Sequence, residues 1–114
     1  MDSIIKMFKH LNAAVVASDA EYNVIYQNEK CRTVFKQIFG TSDFIGKSLH
    51  DLHKPETTEV IKTHFQEYKE KKRDIYHYVV DEPHGKVTIV NSPYYDETGE
   101  FAGVVEFIFE SSLA

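Results

Sequence analysis

The first hydrophobic residues of the chain recur at a spacing of three or four positions. They are Ile4, Ile5, Phe8 and Leu11. Residues three or four apart share one face of an α-helix, so this pattern predicts a short amphipathic helix over residues 2–11. A hydrophobic helix face needs a partner surface, which can be the rest of the same domain or a second protein chain.

Two apolar runs of strand length follow this helix. They span residues 13–19 (AAVVASD) and 24–28 (VIYQN), and the turn EYN between them predicts a β-hairpin. Helical spacing then returns over residues 29–40 (EKCRTVFKQIFG), where Gly40 is placed as a helix-terminating glycine. The first 40 residues therefore predict a helix, two strands and a second helix.

A longer helix is predicted after a connecting region at residues 41–55. This region holds a short apolar, helix-like patch around Leu49 and Leu52. Pro55 suits the first turn of a helix, because its missing N–H is not needed there. Helical spacing then continues over residues 56–71. The residues on the apolar face of that helix are Val60, Ile61, His64, Phe65 and Tyr68.

The last third of the chain changes to a pattern typical of β-strands. Three runs at residues 74–81, 86–95 and 100–110 are separated by the turn sequences PHG and DETG, which predicts an antiparallel meander. Residues 1–114 thus predict a single α+β domain, with one antiparallel sheet and its helices on one face.

The final strand carries bulky apolar residues on both faces. Phe101, Val105, Phe107 and Phe109 alternate with Ala102, Val104, Glu106 and Ile108. A sheet with one solvated face alternates apolar and polar residues, so both faces are expected to be covered here. One face would meet the helices between residues 29 and 72. The other would meet either the helix over residues 2–11 or a second subunit.

Composition narrows the class of protein. The chain has 114 residues, a formal net charge of −5 and one cysteine, Cys31, which fits a reducing compartment and excludes an internal disulfide. The basic cluster Lys69–Arg73 ends a predicted helix and complements the helix dipole, so nucleic acid is not expected as a partner. No apolar run is long enough to span a membrane and no signal-peptide pattern is present. We therefore expect a cytoplasmic protein without a membrane partner.

The order of elements and three segments of the sequence resemble the PAS family of sensory domains. The segments are AAVVASDAEYNVIYQN ending at Asn28, IGKSLHDLH, and SPYYDETGEFAGVVEF. The third segment is similar to the family's Pro-x-x-Asp-x-x-Gly-x-x-x-Gly hairpin, with Pro93, Asp96, Gly99 and Gly103 at these positions. Asp96 and Gly99 would form the turn, while Gly103 would allow close packing within the strand.

The resemblance implies a five-stranded antiparallel sheet folded over helices, with a cavity between the sheet and the helix over residues 56–71. Members of the family bind haem, flavin, small acids or no detectable ligand, and many dimerise through a helix before the first strand. Here residues 2–11 would be that helix and residues 12–112 the PAS core. The family's Asp-Ile-Thr output triplet corresponds to Glu110-Ser111-Ser112, and no effector domain follows. The chain is expected either to act by association or to be a piece of a longer protein.

His64 is the sharpest candidate ligand group. In a PAS-like fold its helix would line the cavity, and haem-binding members take an axial histidine from this helix. His53, in the loop before the helix, is a lesser haem candidate. The alternative is that His64 is a partly buried, hydrogen-bonded core residue. Flavin is not expected. The segment KCRTVF is only superficially similar to the reactive-cysteine segment of flavin-binding family members, and it lies too early in the chain. Cys31 is expected to pack as a small apolar residue instead.

The other cavity candidates are the apolar, aromatic and amide side chains expected to face the cavity. Together with His64 they are Tyr26, Val60, Ile61, Phe65, Tyr78, Asn91 and Phe107. The polar groups among them can also be satisfied by a neighbouring strand or by water. The remaining histidines form no metal-binding pattern and no nucleophile lies beside a base, so neither a metal site nor an enzyme is expected.

We therefore expect a sensory or signalling domain that binds a small apolar or planar ligand between the sheet and the helix over residues 56–71. It would signal by rearranging a dimer or a signalling-protein partner. The alternative is a ligand-free interaction domain that forms a homodimer or binds a partner through Ile4, Ile5, Phe8 and Leu11.

Overall fold

The structure, a computed structural model, describes residue 7 and residues 9–39, 43–82 and 85–110. Its elements in chain order are strands β1 (Ala14–Asp19) and β2 (Val24–Gln27), helices α1 (Glu29–Phe39), α2 (Leu49–Leu52) and α3 (Pro55–Lys69), and strands β3 (Tyr76–Glu82), β4 (Gly85–Tyr95) and β5 (Phe101–Phe109). The strands form one antiparallel sheet in the order β2-β1-β5-β4-β3. The predicted α+β fold with a five-stranded antiparallel sheet is confirmed.

Strand β5 lies at the centre of the sheet, between β1 and β4, which explains its apolar sequence. The face of the sheet that packs on the helices is called the inner face, and it carries Val16, Val87, Val104 and Ile108. The opposite, outer face carries Val90, Val105, Phe107 and Phe109, which are half-buried. Both faces of the central strand are therefore apolar, as predicted.

The predicted N-terminal helix lies largely beyond the described part of the chain. Ile4, Ile5 and Phe8, three of its four predicted dimer contacts, are outside the described residues. Leu11 is described, and it is 36% exposed. The cover predicted for the outer face, whether this helix or a second subunit, stays a prediction.

The turn between β1 and β2 connects the sheet to two helices. Asp19 Oδ1 accepts hydrogen bonds from two backbone N–H groups of the turn, each at 2.9 Å, which is the pattern of an Asx turn. Tyr22 adopts a positive φ of 72°, and its ring stacks on Phe65 of α3 with centroids 4.5 Å apart. The Tyr22 carbonyl accepts a hydrogen bond of 2.8 Å from the N–H of Leu49 in α2. The turn therefore contacts both α2 and α3.

The side chain of Asn28 joins the start of α1 to β1. Its Oδ1 accepts hydrogen bonds of 2.9 Å from the N–H groups of Val15 and Cys31, and its Nδ2 donates to the carbonyl of Ala13 at 2.8 Å. A buried amide is stable only when its polar atoms are paired in this way. Cys31 is fully buried in the apolar core, and the prediction that it packs as a small apolar residue is confirmed.

The position of Phe101 differs from the alternation predicted for β5. It was placed on one face with Val105, Phe107 and Phe109, but that placement is wrong. The pairing of β4 with β5 shifts by one residue between Tyr94 and Tyr95. The shift turns Phe101 towards the helices, where its ring lies 5.5 Å from Phe65 and 6.2 Å from Tyr68 of α3. A β-bulge of this kind reverses the side-chain alternation on one side of it.

The turn between β4 and β5 has the residue roles that its sequence predicts. Asp96 Oδ1 accepts hydrogen bonds from the N–H and the hydroxyl of Thr98 and from the N–H of Glu100. These bonds, first of all the one from the Thr98 hydroxyl, lower the pKa of the Asp96 carboxyl. Gly99 has a positive φ of 85°, which glycine adopts without strain.

Gly103 allows β1 and β5 to approach each other closely. The Tyr94 hydroxyl donates a hydrogen bond of 3.1 Å to the carbonyl of Ser18, next to this glycine. A Cβ at position 103 would lie 2.1 Å from the Ser18 carbonyl oxygen and 2.6 Å from the Tyr94 hydroxyl. The first of these atoms belongs to the backbone of the neighbouring strand, so it cannot move without disturbing the sheet.

We expect Gly103→Ala to lower the free energy of unfolding by about 1–3 kcal/mol, because the added methyl group overpacks the contact between β1 and β5. Urea unfolding measures the loss. Gly85→Ala is the matched control, since Gly85 has a positive φ of 139° but an added Cβ would meet no atom within 4 Å. Equal losses in the two variants would contradict the steric role of Gly103.

Candidate functional site

A cavity of about 120 Å³ lies between the inner face of the sheet and helix α3. The helical side contributes Leu49, His53, Thr57, Val60, Ile61, His64 and Phe65. The sheet contributes Val16, Ser18, Tyr78, Asn91, Val104 and Glu106. The lining therefore combines six apolar side chains with seven that carry polar atoms, and such polar groups give a small-molecule site its specificity.

Most of the predicted cavity residues are brought together here. Those that line the cavity are Val60, Ile61, His64, Phe65, Tyr78 and Asn91. His53, which was predicted only as a lesser haem ligand, lines it as well. Tyr26 and Phe107 do not line it, and their placement in the cavity is wrong. Tyr26 pairs with Ala17 and Phe107 pairs with Val15, so both point to the outer face. The register of the strands therefore prevents Tyr26 and Phe107 from facing a ligand in the cavity.

A chain of hydrogen bonds runs from α3 to the centre of the sheet. The hydroxyl of Tyr68, a fully buried residue, lies 2.7 Å from Asn91 Oδ1 and 2.9 Å from the Asn91 carbonyl. Asn91 Nδ2 donates to Glu106 Oε2 at 3.4 Å, and these two residues are directly paired across β4 and β5. Since Tyr68 occupies Asn91 Oδ1, the amide presents its N–H group to the carboxylate.

Glu106 of β5 lines the cavity with its carboxylate, and the sequence predictions did not include it. Burial raises the pKa of Glu106, while the charge of His53 and the hydrogen bond from Asn91 partly oppose the rise. Burial, followed by the charge of Glu106, raises the pKa of Tyr78 to about 12. The signal that could have identified Glu106 is a single charge in an otherwise apolar strand, at a position that alternates with Val105 and Phe107.

His64 lies on the side of α3 that faces β3. Its ring stacks on Tyr76 with centroids 3.6 Å apart and an angle of 16° between the planes. Burial lowers the pKa of His64, which leaves the imidazole uncharged at neutral pH. The Tyr76 hydroxyl donates a hydrogen bond to Glu67, and the Arg73 guanidinium lies 4.5 Å from the centre of the same ring. His64 thus packs in an aromatic and charged cluster as well as lining the cavity.

The cavity does not fit haem. Pockets for drug-sized ligands measure about 300–1,000 Å³, and a porphyrin needs a site of at least this size. The observed cavity of about 120 Å³ is smaller. Both predicted axial ligands have contacts within the protein, since the His64 ring stacks on Tyr76 and His53 Nδ1 lies 2.7 Å from the carbonyl of Leu49. We derive no haem chemistry for this chain.

Cys31 and His50 have defined places outside the cavity. Cys31 is in the core beside α1, with its sulfur 3.5 Å from Gln27 Nε2, and burial raises the pKa of its thiol. His50 packs against Tyr22, with ring centroids 4.3 Å apart. Within the described parts of the chain, no three His, Cys, Asp or Glu side chains come together as a metal-binding group.

The order of the strands and the cavity beneath α3 define the fold class of PAS domains. The model of the PAS domain family matches residues 4–111, so the chain belongs to this family of sensory domains. No curated protein sequence matches the chain.

Solved structures with the same fold support the assignment. A C-terminal domain from Streptococcus mutans has a TM-score of 0.80 at 19% identity, over 96% of this chain and 83% of that one. A PAS domain from Colwellia psychrerythraea has a TM-score of 0.68 at 19% identity, over 96% and 94% of the two chains. A sensory box sensor histidine kinase from Vibrio cholerae has a TM-score of 0.63 at 15% identity, over 98% and 91%. At these identities the likeness concerns the fold.

Helices long and apolar enough to cross a membrane are absent from the described residues. The cavity brings together the half-buried carboxylate of Glu106, an amide oriented by Tyr68, and the apolar residues of α3. This arrangement can orient a small molecule by hydrogen bonds within a partly apolar space.

We expect Glu106→Gln to stabilise the unliganded protein at neutral pH by on the order of 1–3 kcal/mol, because it removes a poorly paired buried charge. The raised pKa means that the folded state binds more protons than the unfolded chain above the ordinary value of 4.5. Wild-type stability therefore falls as pH rises from that value through the raised pKa, and the advantage of the variant grows over the same range.

Urea unfolding at several pH values measures this difference. Glu97→Gln is the control, since Glu97 is exposed in the turn between β4 and β5. If the difference in stability between Glu106→Gln and the wild type did not change with pH, the raised pKa of Glu106 would be contradicted.

Proposed function

We propose that this PAS domain is a sensory module of signal transduction, in which a small ligand binds the cavity between the sheet and α3. The observation that supports this proposal is the cavity itself, where an apolar helix face meets a buried carboxylate and an oriented amide. Polar groups placed in an apolar space are the features that give small-molecule sites their specificity.

The volume of the cavity limits the size of the ligand. A dry protein cavity of about 150 Å³ holds a benzene molecule, so the observed 120 Å³ fits a molecule of similar or smaller size. The range of ligands implied by the family thus narrows to compact molecules, because a macrocyclic cofactor is too large for this volume. An apolar, planar ligand would stack beside Phe65 and Ile61, while its polar atoms would face Glu106 and Asn91.

Signalling requires that the ligand binds two arrangements of the domain with different affinity. The cavity lies between α3 and the central strands, and Tyr68 joins these two layers through Asn91. A bound molecule that contacts both layers would alter their spacing. We propose that this change is transmitted to a dimer interface or to a signalling-protein partner.

We expect Ile61→Trp to abolish ligand binding, because the larger side chain fills the cavity. The measurement is a thermal-shift screen of fragments no larger than benzene, together with native mass spectrometry for co-purified molecules. A ligand at about 100 times its Kd stabilises the folded state by about 2.7 kcal/mol. Lys62→Trp is the control, since Lys62 is exposed on the same helix.

The proposal predicts that fragments which stabilise the wild type also stabilise Lys62→Trp but not Ile61→Trp. The sensory role would be contradicted if no fragment stabilised the wild type and no molecule co-purified with it. It would equally be contradicted if the active fragments acted unchanged on Ile61→Trp.

A second candidate function is homodimerisation. It is favoured by the outer face, where Phe107 and Phe109 are half-buried and stack with centroids 6.3 Å apart, and by the exposure of Leu11. We propose that a second copy of the chain covers this face together with residues 2–11. Aromatic side chains that are left half-exposed are typical of such interfaces.

We expect Leu11→Glu to convert the dimer into a monomer, because a charge would be buried at the interface. Light scattering with size-exclusion chromatography measures the mass. Asn12→Glu is the matched control, since Asn12 is also exposed and introduces the same charge one position away. A monomeric wild type, or a dimer that persists in Leu11→Glu, would argue against this interface.

A further inference from the structure

The cavity has a negative group without a matching positive one. Among the residues that line it, Glu106 is the single carboxylate and no lysine or arginine is present. The other polar lining residues are Ser18, His53, Thr57, His64, Tyr78 and Asn91. A carboxylate in an apolar space is stable only when it is paired or protonated.

The described residues give the Glu106 carboxylate little hydrogen bonding. One bond reaches it, from Asn91 Nδ2, and at 3.4 Å it is long. A carboxylate accepts about four hydrogen bonds when it is fully paired. The Tyr68 hydroxyl donates to the Asn91 amide oxygen, which orients the amide so that its NH₂ group faces the carboxylate. The carboxylate therefore has acceptor capacity directed towards the cavity.

The neighbouring elements do not neutralise this carboxylate. His64 on α3 is uncharged, since burial lowers its pKa. Tyr78 on β3 keeps its proton, since its pKa is raised to about 12. His53, at the end of α2, attracts Glu106 through space, but among the described residues no ion pair or hydrogen bond joins these two side chains, and His53 Nδ1 lies 2.7 Å from the Leu49 carbonyl. A ligand with a positive charge and N–H donors would supply what these side chains do not.

We infer that the cavity between α3 and the inner face selects a compact organic cation with N–H donors, of the amidinium or primary ammonium class, with the Glu106 carboxylate as its anchor. This inference rests on the proposed function of the cavity as a ligand site. The cation would donate to the Glu106 oxygens that Asn91 leaves free. Its apolar part would contact Ile61 and Val104. The volume of about 120 Å³ admits a molecule with few heavy atoms.

Three molecules of one shape and different charge test the inference. They are acetamidinium, acetamide and acetate, each titrated into the full chain to about 50 mM at constant ionic strength, because so small a ligand binds weakly. The readouts are the thermal midpoint and the NMR signals of the Asn91 side-chain amide. We expect acetamidinium to bind at least about tenfold more tightly than acetamide, since charge-assisted hydrogen bonds are stronger, and acetate not to bind.

The Glu106→Gln variant and a matched control distinguish binding in the cavity from binding to acidic residues on the surface. Glu106→Gln should lose the preference for acetamidinium, whereas Glu97→Gln, which removes the same charge from an exposed turn, should retain it. Circular dichroism verifies that both variants are folded. If Glu106→Gln does not fold, the order of the three molecules on the wild type still decides the question.

Three results would overturn the inference. One is tighter binding of acetamide or acetate, which would leave the cavity as a ligand site but with a different ligand class. Another is acetamidinium binding that is equal in Glu106→Gln and Glu97→Gln, which would place the cation elsewhere. The third is no response to acetamidinium at any concentration, while the fragment screen with Ile61→Trp tests the proposed function separately.

Discussion

The hydrogen bond from Tyr68 to Asn91 sets the spacing between α3 and the sheet. Tyr68 is fully buried, so its hydroxyl must be paired inside the protein, and the Asn91 side chain is the partner at 2.7 Å. Apolar packing of Phe65 with Phe101 closes the space at one end of the helix. The hydrogen bond between Tyr68 and Asn91 keeps α3 far enough from the sheet that the side chains around Glu106 do not fill the space between them. The cavity depends on this contact.

The same contact explains why a carboxylate can persist on the buried face of β5. Asn91 is directly opposite Glu106, and Tyr68 orients its amide so that an N–H group faces the carboxylate. A buried charge with one long hydrogen bond is costly to stability. Residues that lower stability in this way are common at functional sites, where a ligand completes the missing interactions.

The sequence was sufficient to predict the elements and the helical wall of the cavity, because helical spacing is a local property. Val60, Ile61, His64 and Phe65 line the cavity for that reason. The sheet was less predictable. The face on which Tyr26 lies depends on its pairing with β1. The face on which Phe101 lies depends on the register shift between Tyr94 and Tyr95. The pairing of Glu106 with Asn91, which makes the site, joins residues 15 positions apart and has no local signal.

Tyr22, in the turn between β1 and β2, combines an unfavourable backbone with favourable contacts. A non-glycine residue at a φ of 72° costs on the order of 1–3 kcal/mol, and here the stacking on Phe65 and the bond to Leu49 offset it. Loss of the Tyr22 ring would remove its stacking on Phe65 of α3, beside the backbone bond to Leu49 of α2. The tip of the first hairpin therefore anchors two helices to the sheet through a single residue.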